Sequence, residues 1–140
     1  MFYEAVFLFP EQRLKNLPRF WKAEFAEKPN RQELQAAQTQ FNNVLTLNPG
    51  HTEARFYLGV LYLENNALDK AEQAFQEILE RDSEHVEALT NLGVIALKRD
   101  QGQVAVDYFT KALALDTEHL EARNNLAATF MHHDRFENAL

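Results

Sequence analysis

The chain has 140 residues, no Cys, four Gly, four Pro and 46% hydrophobic residues, which excludes disulfides, thiolate metal sites, collagen-like or linker composition and wholesale disorder. Its net charge of −7 argues against electrostatic binding to nucleic acid or anionic lipid. No run reaches the roughly 20 apolar residues that cross a bilayer.

Residues 1–29 form an aromatic-rich N-terminal helical segment. The start, MFYEAVFLFP, lacks the basic region and small-residue cleavage site of a signal peptide. The simplest compartment is therefore the cytoplasm, and a Cys-free chain also suits the periplasm. Residues 2–9 read as a short helix stopped before Pro10, and Pro18 can open the next. Phe2, Tyr3, Phe7, Phe9, Phe20, Trp21 and Phe25 crowd this segment. Two readings stay open: docking into a groove or onto a second copy, and an apolar lid on the first repeat. A membrane-surface anchor is the weaker idea, with only Arg13, Lys15, Arg19 and Lys22 nearby.

From Asn30, which can cap a helix, residues 30–51 read as the second half of a degenerate repeat. Residues 52–85 and 86–119 are full units of 34 residues without insertion or deletion, and residues 120–140 restart the pattern and stop. Columns persist across the period: Glu53, Glu87, Glu121; Ala37, Ala71, Ala105, Ala139; Phe41, Phe75, Phe109; Leu45, Leu79, Leu113. Each full unit holds two helical patterns, with apolar residues recurring at three and four. The breaks fall at Asn66, Asp100 and Asp134, residue types that tolerate a left-handed helix end. Gly59, Gly93 and Ala127 lie mid-helix, where Gly costs about 1 kcal/mol against Ala. That cost implies a neighbouring helix in close approach. The Ala column supplies its small surface, and the Phe column fills the space beside it.

This pattern resembles the tetratricopeptide repeat family over about residues 30–140. The resemblance implies an all-α, right-handed α-solenoid of antiparallel helix pairs, with about three to four repeats, the last truncated. The chain departs from the family at helix ends, with Ser83 and Thr117 where Pro49 stands, and early in the first helices, with Arg55, Leu89 and Arg123 for an aromatic. Trp21 would fall in that aromatic column. The resemblance further implies a scaffold or adaptor whose first helices line a concave groove for a protein or peptide partner.

The groove stripe is Phe56, Val60, Leu63; then Thr90, Val94, Leu97; then Asn124, Ala128, Met131. It is mostly apolar, so something should cover it. The candidates are a partner's apolar peptide or amphipathic helix, the chain's own N-terminus, or tight superhelical curvature. Asn91 and Asn125, one period apart, resemble an asparagine ladder that would hold an extended peptide backbone. Tyr57 takes the earlier place, and a merely common Asn is the blander explanation. The family's carboxylate clamp is not expected, because Phe56, Val60, Thr90, Val94 and Glu87 occupy its positions and an unpaired carboxylate would be buried there.

Catalytic chemistry finds no support: there is no Gly-rich phosphate loop, nucleophile turn or two-His zinc motif. No cofactor or metal is assigned. His51, His85 and His119 recur at 34 just before first helices. Successive turns lie roughly 10 Å apart, too far to share one ion, so a role in starting helices explains them better. His132, His133 and Asp134 read as a solvated helix end, and Glu77, Glu80, Asp82 and Glu84 as a solvated convex face. Stopping at Leu140 would expose Leu126, Ala127 and Phe130, forfeiting roughly 2–3 kcal/mol per large side chain. That suggests a piece of a longer protein, or a homodimer formed through the truncated unit or the aromatic N-terminus. Two alternatives to the adaptor therefore stand: a docking or regulatory part of a larger enzyme, such as a transferase, and a self-assembly module.

Overall fold

The computed structural model describes residues 30–138, and from residue 133 the backbone alone. The expectations for residues 1–29, for Ala139 and for the side chains of His133 and Asp134 lie outside the described residues. Among those, six α-helices and no strand occur: α1 (Arg31–Leu47), α2 (Thr52–Glu64), α3 (Leu68–Arg81), α4 (Val86–Lys98), α5 (Gly102–Leu115) and α6 (Leu120–Asn138). They divide into two compact units after Ala67.

The first unit is the α1–α2 hairpin. Asn30 starts α1 with a reciprocal cap: its side chain accepts from the Glu33 N–H at 2.9 Å, and the Glu33 carboxylate accepts from the Asn30 N–H at 3.1 Å. His51 starts α2, its Nδ1 accepting from the Ala54 N–H at 3.0 Å. Ala37, Phe41, Ala54, Tyr57, Leu58 and Leu61 form the unit's core. Phe41 and Tyr57 stack with centroids 6.2 Å apart. Tyr57, in the would-be ladder position, is therefore a core residue.

The second unit packs α3 on α4, α4 on α5, α5 on α6, and α6 back on α4. Each helix of this unit thus packs on the next, and α6 returns to α4, its counterpart one period earlier. His85 caps α4 through Nδ1, which accepts from the Ala88 N–H at 3.1 Å. The α2 and α4 ends repeat one another too. Asn66 and Asp100 adopt left-handed φ values of 59° and 58°. The Ala67 N–H reaches the Tyr62 carbonyl at 2.7 Å and the Gln101 N–H the Ala96 carbonyl at 2.8 Å, satisfying carbonyls the helices leave open.

The close approach expected at Gly93 is present, with one refinement. A Cβ there would lie 2.5 Å from Cε1 of Phe109. The ring itself occupies the space over the glycine, while Ala105 is buried nearby in the same core. Ala54, Ala88 and Ala122 form a further column of fully buried small residues, which the recurring Glu-Ala pair of the sequence already signals.

One expected break is missing. The helix does not turn at Asp134; α6 runs straight on to Asn138. A left-handed residue costs about 1–2 kcal/mol, and the turns at Asn66 and Asp100 each lead into a full second helix that packs. Ala127 is exposed and Phe130 is 51% exposed, as expected, but Leu126 is half-buried and packs on the core around Phe109; Gly93, one period before Ala127, lies under an aromatic ring.

Candidate functional site

In the first unit Phe56, on the α2 stripe, packs on the hairpin core. Phe56 meets Tyr57 edge-on at 5.2 Å, Phe56 and Val60 are half-buried, and Leu63 is buried. Leu63 therefore offers little surface to a ligand.

In the second unit the stripe grades from closed to open. Thr90 is fully buried, and its hydroxyl donates to the Val86 carbonyl at 2.9 Å. A small β-branched side chain bound to its own helix leaves no surface there, so Thr90 is withdrawn from the groove. Val94 and Leu97 are half-buried and pack on the core around Phe109. On α6, Asn125 is half-buried, Asn124 and Ala128 are exposed, and Met131 is 57% exposed. The Asn91 side-chain amide donates to the Glu87 carbonyl at 2.8 Å. One of the two amide hydrogens thus serves the helix, and that bond does not engage the second hydrogen or Oδ1.

A depression of about 750 Å³ lies among α4, α5 and α6, lined by Leu97, Val106, Ala128 and Phe130 with Asp100, Gln103, Thr129 and His132 as polar lining. Val106 was not among the expected groove residues. Its signal is columnar: it replaces Glu72 of the preceding unit with an apolar residue.

Arginine side chains make two further kinds of contact. Arg99, at the end of α4, pairs with both Asp69 and Glu72 on α3. Its guanidinium pKa is raised, first by the hydrogen bond to Glu72 and further by the charges of Glu72 and Asp69 against a smaller burial penalty. Of the acidic residues read as a solvated face, Glu80, Asp82 and Glu84 are exposed and Glu77 is half-buried; Asp69 and Glu72, outside that set, hold an arginine. Arg55 and Arg123, which replace an expected aromatic, hook back to the Pro49 and Thr117 carbonyls, tying each preceding turn to the helix it starts. The Nδ1 atoms of His51 and His85 are engaged as caps. Among the described residues no group of three or more His, Cys, Asp or Glu is placed to hold a metal ion, and no helix is long and apolar enough to cross a membrane.

The tetratricopeptide repeat family model matches residues 30–86, 68–118 and 90–140. No curated protein matches. Among solved structures, a crystal structure of MamA superposes with a TM-score of 0.66 at 23% identity, covering 78% of this chain and 64% of that one. YrrB, described as a TPR protein with an unusual peptide-binding site, gives 0.62 at 27% identity, covering 66% and 48%. A Thermobaculum terrenum O-GlcNAc transferase mutant gives 0.65 at 22% identity, covering 69% of this chain and 19% of that one. The chain thus spans less than two thirds of each of these structures. With its family model matched from residue 30 to residue 140 and its helix pairs repeating every 34 residues, this chain belongs to the tetratricopeptide repeat family.

Proposed function

We propose that the chain is a protein-interaction module that holds an apolar peptide or amphipathic helix against the stripe on α4 and α6. The observation that carries this reading is the set Val94, Leu97, Ala128 and Met131. These apolar residues lie on touching helices and remain half or fully open to solvent. Helix surfaces that stay partly open to solvent are normally polar, so an apolar one suits an occupant. The likeness to YrrB, whose description names a peptide-binding site, supports the same reading. Repeat domains of this family are generally non-catalytic, in keeping with an adaptor.

The experiment is a display-library selection against the chain, followed by titration of the selected peptides against wild type and Val94→Lys. Binding should fall at least tenfold in the variant with helicity by circular dichroism unchanged. Equal binding to both proteins would remove the groove.

A second reading places the chain as the docking portion of a larger enzyme. The observation in its favour is that this fold also forms part of a transferase chain more than five times as long as the matched region. Sequencing the complete reading frame decides it.

A further inference from the structure

The groove has a charge polarity. Six carboxylates gather at one edge of the second unit, at the turns that lead into α4 and α6, while a single one, Asp100, lines the depression at the far end of α4. Asp82, Glu84 and Glu87 recur one period later as Asp116, Glu118 and Glu121, and all six are exposed. Of the basic side chains at this edge, the Arg123 guanidinium holds the Thr117 carbonyl and lies 3.7 Å from Glu118, Arg81 is exposed next to Asp82, and His85 Nδ1 lies 3.6 Å from the Glu87 carboxylate. From Glu87 the same face of α4 continues through Asn91 to Val94 and Leu97, about 15 Å in ten residues. From Glu121 the face of α6 continues through Asn125 to Ala128 and Met131. Both helices therefore run from carboxylate through amide to hydrocarbon, side by side.

Resting on the groove reading above, we infer that the occupant is a peptide segment carrying Lys or Arg at one end and apolar side chains over the rest. The cationic end lies over Glu87 and Glu121, and the apolar part over Val94, Leu97, Ala128 and Met131. An acidic segment in the same place would set like charges together as it excludes water from them, and an uncharged one would cover the two carboxylates without supplying a countercharge. This polarity is opposite to the one a cationic clamp for carboxylate tails would need.

Two amidated, fluorescein-labelled 16-residue peptides test it. They share one leucine-rich helical face and differ only at one end, with two Lys in one and two Glu in the other. Anisotropy titrations at 50 mM salt should show the Lys peptide binding about tenfold tighter, and the preference should shrink severalfold at 0.5 M salt. Glu87→Gln/Glu121→Gln should abolish the preference. Glu77→Gln/Glu80→Gln, which removes equal charge from α3, should leave it intact. Equal binding of the two peptides, or loss of preference in the α3 variant, would overturn the charge assignment and leave the groove standing. Binding of neither peptide would overturn both.

Discussion

Gly93 and Gly102 separate two uses of the same residue. A methyl group on Gly93 would meet the Phe109 ring at 2.5–2.8 Å, while one on Gly102 would meet nothing within 4 Å. Overpacking a closed site costs about 1–3 kcal/mol, and Gly→Ala returns about 1 kcal/mol of helix propensity. Gly93→Ala should therefore lower stability by up to about 2 kcal/mol in urea unfolding. Gly102→Ala should be neutral or add up to about 1 kcal/mol. Gly93→Ala/Phe109→Leu should lose less than the two single changes added together, because the smaller side chain vacates the space the methyl needs. If both glycines respond alike, the ring–glycine contact is not what places glycine at position 93. The Gly, Ala and Phe columns were legible in the sequence because each recurs at the period. Which atoms meet was not: the ring over Gly93 comes from the large column, and the small column lies beside it.

At the scale of elements, the helix starts were readable as punctuation and the mechanism of two of them was not. His51 and His85 cap through a ring nitrogen, work usually done by Ser, Thr, Asp or Asn. His85→Ala should cost about 1 kcal/mol, and His85→Asn, whose side chain can accept the same N–H, should retain most of it. Equal losses in the two variants would mean that the imidazole contributes through packing instead. The helix ends at Asn66 and Asp100 were legible from residue type alone, and Asp134 shows the limit of that signal, since the same residue type stays helical within α6. Arg99 was invisible for a related reason, since its partners lie 27 and 30 residues away. Arg99→Gln should lower the melting temperature, and added salt should narrow the gap to wild type. The sign of the pH effect follows from the raised arginine pKa. Its contribution is complete below the unfolded-state value and fades only as pH rises through the still higher folded one. The melting-temperature difference between wild type and variant should accordingly stay constant from about pH 7 to about pH 10, whatever both proteins do in common.

For the molecule as a whole, the period of 34 carried most of the architecture, because stacking a repeated hairpin leaves few alternatives. The site was legible only as a stripe. Periodicity says which residues share a helix face; it does not say how deeply a neighbouring helix sinks into that face, which is why Thr90 and Leu63 are buried while Ala128 and Met131 are open. The same asymmetry bears on dynamics. Helix α4 packs against α3, α5 and α6, and its Leu89, Leu92, Ile95 and Ala96 are buried. Helix α6 touches only α4 and α5 among the packed pairs of its unit, and leaves Phe130 and Met131 about half exposed. Local opening needs fewer apolar contacts to break in α6, so amide hydrogen exchange should be slowest in α4 and markedly faster in the second half of α6. Mass-spectrometric exchange at low micromolar concentration reads this gradient directly. Repeating it at hundreds of micromolar distinguishes a free face from a self-associating one: protection that rises with concentration in α6 alone assigns that helix to contact with a second copy, and an unchanged gradient leaves its face to a different partner.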